Sequence, residues 1–459
     1  MIFLPSDDDD DDDNVFLSSD DDDDEVLNEA NLLRIQRNDP SFTSLRVKGH
    51  NWIIGAGNAI SQSKRLRRLE MILESDERDD GWQDLCHGLA RNRSIATFDM
   101  TVQRDFPCRD FFRIVSPFFE LNGRLRNIKL HDSCFPPTNG IDDDCISILS
   151  NALMKNAKIE RLEFVGCLKF SATGWRTLSS ALAHPKCSVQ DLSICYTSSI
   201  SDGVLFCLAL ALESSKSLRC LNIDNVTYSS TTSAGWDFFA TCLKHPNCAL
   251  DTLYIEECNI DANGAAAIVS ALSGNKRLTE LHIIKNNQLK GKDWSDLSIV
   301  LCDKTSIENT FSSNHTLLEV DSINWWTYYD SGYESDSDSD SGRDEDIENW
   351  KEVVNSDSYK ATIKEIEVSL SMNQKKNKAE VARHKILKHH FLRGEIHVGV
   401  FASMAETALP NAIEWIGRSN DPTLHNLELT VMYNFVQSFP ELFDIRDSSQ
   451  SAPAKRRKH

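Results

Sequence analysis

Leu250-Asp-Thr-Leu253-Tyr-Ile255-Glu-Glu-Cys258-Asn-Ile260-Asp-Ala-Asn-Gly264 is the stretch on which the reading of this chain turns. Its apolar residues fall at relative positions 1, 4 and 6, and a thiol follows at position 9. Alternation at Leu253 and Ile255 predicts a short strand with one buried face, because successive strand side chains point to opposite sides. Gly264 then opens a helical pattern running through Ile268 and Leu272.

The same frame recurs along most of the sequence. It begins at Phe42/Leu45/Val47 and continues at Leu66/Leu69/Met71, Ile95/Phe98/Met100, Leu125/Ile128/Leu130 and Ile159/Leu162/Phe164. Val189/Leu192/Ile194, Leu218/Leu221/Ile223, Leu250/Leu253/Ile255 and Leu278/Leu281/Ile283 follow. The starts are 24, 29, 30, 34, 30, 29, 32 and 28 residues apart. A period near 29 is long enough for a strand, a turn, a helix and a return loop. Helical halves are visible after Gly81-Trp82, Gly174-Trp175 and Gly235-Trp236, where Leu85 and Leu89, Leu178 and Leu182, and Phe239 and Leu243 share one face; Asp293-Trp294 repeats the pattern with Leu297 and Leu301. Neither half can bury its apolar side alone, whereas stacked neighbours build a continuous core.

Return loops His184-Pro185-Lys186-Cys187 and His245-Pro246-Asn247-Cys248 sit 61 residues apart, at every second repeat. With the frame, they make residues 40–322 resemble the ribonuclease-inhibitor-like leucine-rich-repeat family, whose repeat type also occurs in NOD-like receptors and Ran GTPase-activating proteins. That resemblance implies an α/β solenoid, a horseshoe with parallel strands on the concave face and helices outside. The family's Asn or Cys at position 9 is present as Cys167, Cys258 and Asn286, while Ser133, Thr197 and Val226 stand there in other repeats.

A formal charge of -21 suggests an acidic protein until it is located. Residues 1–30 carry 14 acidic and no basic side chains, and 330–348 carry nine acidic residues against Arg343, so the rest of the chain is close to neutral. The aspartate runs Asp7–Asp13 and Asp20–Asp24 cannot bury enough surface to offset chain entropy, so 1–30 is expected to be a disordered tail. All 13 cysteines lie between Cys86 and Cys302, and no Cys-x-x-Cys occurs. Buried thiols in a reducing, intracellular compartment are the expectation. The start Met1-Ile-Phe-Leu-Pro-Ser6 is too short for a signal h-region, and no apolar run approaches the ~20 residues of a membrane span.

The predicted order is a solenoid over 31–322, an acidic Ser/Asp-rich disordered loop over 323–358, a terminal repeat and small α-helical cap over 359–446, and a flexible basic tail over 447–459. A last frame inside the solenoid is Leu317-x-x-Val320-x-Ser322, with Trp325, Trp326, Tyr328 and Tyr329 placed to close its apolar end. Ile363-x-x-Ile366-x-Val368 gives the terminal repeat. Residues 377–393 read as a basic amphipathic helix, with Ala379, Ala382, Ile386 and Leu387 inward and Lys378, Arg383, Lys385 and Lys388 elsewhere. Further helices are expected through 409–416 and from Asp421-Pro422, an N-cap acid followed by proline.

Chemistry-bearing motifs are scarce. Gly55-Ala56-Gly57 lacks the strand context of a nucleotide loop and falls where a repeat's helix begins. His184/Cys187 and His245/Cys248 follow the repeat spacing, too far apart for one tetrahedral metal centre. From Asp336 a calcium loop would need Gly and Glu where Ser341 and Ile347 stand. No catalytic residue, metal or cofactor is therefore expected. Ser335, Ser337 and Ser341 each have an acidic residue three places on and are candidate phosphorylation sites. Lys455-Arg456-Arg457-Lys458 suits an importin groove and points to nuclear or nucleocytoplasmic residence.

What remains is a surface. Between the core positions, Arg161, Glu163, Asp191, Ser193, Asn222, Asp224, Thr252, Tyr254, Glu256, Glu280 and His282 point away from the core on the expected concave face. Its mild acidity disfavours phosphate backbones and favours a protein partner with a basic surface. A non-enzymatic scaffold or adaptor is the expected function. The alternatives are a GTPase-activating role, implied by the Ran-type resemblance, and nucleic-acid binding through the basic helix.

Overall fold

The computed structural model describes residues 26–48, 53–73, 80–103, 106–133, 140–166, 171–196, 200–224, 231–258, 260–283, 286, 291–320, 356–374 and 377–391. The chain divides into two units, Met1–Ile141 and Asp142–His459. In the first, strands β1 (Ser44–Lys48), β2 (Arg68–Leu73), β3 (Thr97–Val102) and β4 (Asn127–Asp132) pair in parallel, in sequence order. Helices α1 (Glu29–Gln36), α2 (Ala56–Gln62), α3 (Asp80–Arg91) and α4 (Cys108–Leu121) alternate with them.

The second unit repeats the plan. Its strands are β5 (Arg161–Val165), β6 (Asp191–Cys195), β7 (Cys220–Asp224), β8 (Thr252–Glu256), β9 (Glu280–His282) and β10 (Glu319–Val320), again parallel and in order. Between them run α5 (Asp143–Lys155), α6 (Ala172–Leu182), α7 (Asp202–Ser214), α8 (Ser233–Leu243), α9 (Ala262–Leu272), α10 (Gly291–Leu301) and α11 (Ile307–Ser312). Leu162, Leu192, Leu221, Leu253 and Leu281 stand side by side in one register row. After β10 come α12 (Asp357–Asn373), α13 (Lys378–Ile386) and one π-helical turn, Leu387–Phe391.

Burial explains why these segments form these elements. Every frame residue from Phe42 to Ile283 is at most 5% exposed, and burying each such side chain contributes about 1.5–3 kcal/mol. Trp82, Trp175 and Trp236 are buried at the starts of their helices. Phe98 of β3 packs with Phe111, Phe118 and Phe119 of α4.

Polar side chains tie one repeat to the next at two levels. Where several of the helices turn into strands, a buried asparagine closes the turn. Asn92 donates to the Ile60 carbonyl at 2.6 Å and accepts from the amides of Ser94 and Ile95; Asn275 donates to Leu243 O and accepts from Arg277 and Leu278. Asn314 repeats the motif, Asn122 accepts from the amide of Arg124 but donates to Ile95 O instead, and the hydroxyls of Ser63 and Ser215 accept in the asparagine's place elsewhere. Near the helix starts, Asp202 accepts from the amide and hydroxyl of Thr232, Asp143 from those of Ser171, and Asp84 from the amides of Gly55 and Gly57. Gly55-Ala56-Gly57 is thus helix-packing sequence: Gly55 has φ +94, and a Cβ on Gly57 would lie 1.8 Å from Asp84 O.

Position 9 is more regular than its residue types suggest. Ser133 donates to Val102 O, Cys258 to Ile223 O, and Asn286 to Ile255 O. Cys167, Thr197 and Val226 lie outside the described residues.

Four expectations need correction. The tail assigned to 1–30 ends sooner, because Val26 bridges to Arg46, Leu27 is buried and Asn28 caps α1 by accepting from the amide of Asn31. The acidic loop assigned to 323–358 stops before Ser356, which caps α12. Ile363/Ile366/Val368 belongs to that helix and not to a strand: a spacing of three serves both frames, and Ile363, Ile366 and Leu370 form the buried helical face. In α13 the buried residues are Val381, Ala382, Lys385 and Ile386, while Ala379 is exposed. Lys385, expected in solvent, is buried because its ammonium finds the Leu301 and Asn314 carbonyls at 2.6 and 3.2 Å. The Leu317/Val320 frame does form a strand, paired to β9. Trp325–Tyr329, the helices at 409–416 and from 421, Ser335, Ser337, Ser341 and Lys455–Lys458 lie outside the described residues.

Candidate functional site

The strands of the second unit bury one face and leave the other partly open, in an alternating pattern. Parallel pairing aligns the open side chains into rows. Arg161, Asp191, Cys220, Thr252 and Glu280 form the first, and Glu163, Ser193, Asn222, Tyr254 and His282 the second. Val165, Cys195, Asp224 and Glu256 form the third. All eleven residues expected to point outward therefore share one sheet face.

Their contacts run between neighbouring strands. Arg161 pairs with Asp191 at 3.2 Å, Asn222 donates to the Ser193 hydroxyl at 3.2 Å, and Thr252 donates to Glu280 at 3.1 Å. At the strand starts, Asp251 holds both Arg277 at 3.1 Å and Arg219 at 3.8 Å. These cation contacts thus lie in the first row and its approach, and Glu163, Asp224 and Glu256 stand along the second and third rows.

Tyr254 and His282 stack with ring centroids 4.2 Å apart and planes 12° from parallel. This places the imidazole under the phenol ring, and His282 is only 6% exposed. His282 consequently supports Tyr254 more than it presents itself, a correction to its expected outward role.

Two side chains that spacing did not single out belong to this surface. Tyr196, 54% exposed, and Glu257 follow β6 and β8 with φ of +54° and +49°, a region where side chains are strained; Gly166 occupies it after β5 with φ +79°. Their common signal in the sequence is position 8, immediately beyond each strand.

The thiols are set for packing. Burial pushes Cys187, Cys248 and Cys302 above the ordinary thiol range, and Cys220 up to about 11. His184 and His245 close their own turns, their Nδ1 atoms accepting from the amides of Lys186 and Asn247. No helix among the described residues is long and apolar enough to cross a membrane.

No family model matches the chain. It is 29% identical over 207 residues to human "NACHT, LRR and PYD domains-containing protein 14", covering 45% of this chain and 18% of that protein. The mouse "NACHT, LRR and PYD domains-containing protein 12" is 25% identical over 279 residues, 57% of this chain and 26% of that protein. The chain thus spans about a quarter or less of these relatives. Among solved structures, a chain of the "Crystal structure of Rad7 and Elc1 complex in yeast" aligns with a TM-score of 0.37 at 14% identity, over 64% of this chain and 72% of that one. Repeat frame, parallel register and relatives agree that this is a leucine-rich-repeat protein, similar over part of its length to NACHT, LRR and PYD domains-containing proteins.

Proposed function

We propose that the open strand face of the second unit binds a protein partner with a basic surface, and that the chain serves as a scaffold or adaptor with no chemistry of its own. The observation that carries this reading is the Tyr254–His282 stack, set in register beside Asn222 and flanked by Asp224 and Glu256. A stacked aromatic loses little conformational freedom on binding, and surrounding carboxylates select against anionic partners. The basic helix is a poorer nucleic-acid contact, since Lys385 is occupied by backbone carbonyls. Nuclear residence through Lys455–Lys458 belongs to the same reading and is tested by deleting those four residues and following localisation.

Capturing partners from cell extract with the wild-type chain, Tyr254→Ala and Glu256→Lys tests the proposal. A partner lost by both variants supports it, and binding indifferent to both refutes it. An intrinsic GTP hydrolysis rate of a Ran-type GTPase that rises on adding the chain would favour the GTPase-activating alternative.

A further inference from the structure

In the first unit, the edge where helices turn into strands gathers cations that the neutral body of the chain conceals. A cavity of about 670 Å³ opens there, lined by Lys64, Arg91, Arg93 and Arg124, with Ser61 and Ser94 among the other polar lining residues. Among the described residues, no carboxylate, aliphatic or aromatic side chain lines it.

Among the described residues these cations have no counter-charge. Lys64, Arg91 and Arg124 make no ion pair among the described residues, and the Arg93 guanidinium donates to the backbone carbonyls of Ala90 and Asn92, at 2.9 and 2.7 Å. Elsewhere the same fold pairs its arginines: Arg46 with Glu70 and Arg68 with Asp99 on this unit's sheet, and Arg219 and Arg277 with Asp251 at the corresponding edge of the second unit. Nearby Arg67, which donates to Ser94 O, is pushed below the usual guanidinium range by burial and by Arg124 and Arg65.

A merely solvated basic rim would need no fixed backbone, yet this one is pinned. The Lys64 amide donates to Asn38, that of Ser94 to Asn92, and that of Arg124 to Asn122, at 2.7, 2.8 and 3.0 Å. The repeat ladder therefore brings cations without an ion pair among the described residues from three consecutive turns to one concavity, an arrangement suited to an anion.

Ligand chemistry follows from the lining. Four cations and neighbouring hydroxyls suit several phosphate groups, and the open depression, with no aromatic ring among its described lining residues, favours a compact polyanion over a nucleobase. We propose that this cavity binds a multiply phosphorylated, non-aromatic ligand of the polyol-phosphate class, either free or as the headgroup of a lipid.

The test is calorimetric titration of the full chain with tripolyphosphate and with inositol hexakisphosphate at physiological ionic strength. Flotation with phosphatidylcholine vesicles, with and without phosphatidylinositol 4,5-bisphosphate, separates the two sources. Lys64→Gln, Arg91→Gln and Arg124→Gln change exposed side chains with no ion pair to lose, and circular dichroism melting verifies that they fold. Expected are one site per chain, about a tenfold affinity loss for each neutralised cation, near-complete loss in the triple variant, and no change in Arg161→Gln. Binding confined to the phosphoinositide vesicles, and abolished by the triple variant, supports the lipid source of the same chemistry. Absence of binding to every probe, equal binding by the triple variant, or tighter binding of single-stranded RNA than of inositol hexakisphosphate overturns the proposal.

Discussion

Lys385 Nζ donates to the carbonyl oxygen of Leu301 at 2.6 Å, taking the place that an asparagine amide holds in the two repeats before it. Leu243 O receives Asn275 Nδ2 and Leu272 O receives Asn314 Nδ2, and Leu301 lies one repeat further along the same row of helix ends. Asn373, at the end of α12, does not serve Leu301; its amide turns to Asn314 O and Leu317 O. A buried ammonium thus satisfies the last helix-end carbonyl, and α13 closes the series from a segment that carries no strand.

That substitution predicts a pH dependence. Burial depresses the Lys385 ammonium from its ordinary value to about 7, with Lys378 adding repulsion and Cys302 opposing it. Between the folded and unfolded values the unfolded chain holds a proton that the folded chain has released, so stability at this end rises with pH above about 7, approaching about 1.4 kcal/mol per pH unit. His315, lowered to about 4 chiefly by burial, acts in the same direction lower down: stability falls as pH drops from the ordinary histidine value toward 4. The buried thiols ionise less readily in the folded than in the unfolded chain and pull stability down as pH nears 9, so the rise is read as a difference. In denaturant unfolding of the full chain between pH 7 and 8, the wild type is expected to gain on Lys385→Met. A difference between the two chains that stays constant over that interval would contradict the assignment.

The asparagine rungs give a stability prediction. Asn275→Ala removes one donor and one acceptor that together satisfy Leu243 O and the amides of Arg277 and Leu278. Leaving such buried groups unsatisfied costs about 1–3 kcal/mol each, so a loss of about 2–4 kcal/mol is expected. Asn263→Ala, at an exposed helical position, serves as the control and should change stability by less than about 0.5 kcal/mol. Urea midpoints at constant m-value measure both.

How far the sequence carries the fold is visible in these residues. Leu253 and Ile255 were legible because a half-buried strand needs apolar side chains at alternate places, and eight further frames say the same. The asparagine rung was present as Asn-x-x-(Leu/Ile), three places before each frame at Asn92, Asn122, Asn156, Asn275 and Asn314, but a polar residue in a loop gives no sign of its burial until the helix before it is placed. Ile363 and Ile366 misled because a step of three fits a helix as well as the repeat frame. Lys385 could not be read at all, since what buries it is a pair of carbonyls from Leu301 and Asn314, distant in sequence. On the sheet face the alternation puts the eleven expected residues on one side, but His282 is buried beneath Tyr254, a stack that only the register reveals. The basic cavity is not legible in the sequence because Lys64, Arg91 and Arg124 come from separate repeats, each an ordinary solvated charge when read alone.

Core packing sets a larger scale. Leu253 is fully buried in the central row of the second unit, between Leu221 and Leu281. Leu253→Ala should cost about 2–5 kcal/mol through lost burial and the cavity left behind, and Leu253→Asp should cost more because a carboxylate there has no partner. Thermal unfolding followed by circular dichroism distinguishes the two, and a Leu253→Asp chain as stable as the wild type would be incompatible with the register described.

Tyr196 separates stability from recognition. Its φ of +54° disfavours a side chain, and the neighbouring repeat uses Gly166 at the same place. Relieving left-handed strain outweighs the extra freedom that glycine gives the unfolded chain, so Tyr196→Gly is expected to raise stability by about 0.5–1 kcal/mol. If the exposed phenol contributes to partner binding on the strand face, the same substitution weakens capture while the melting temperature rises. A structural role alone would move the two together, with stability falling as the ring is removed. Measuring both on one variant therefore decides whether the strained conformation is retained for the surface it presents or for the packing of the turn.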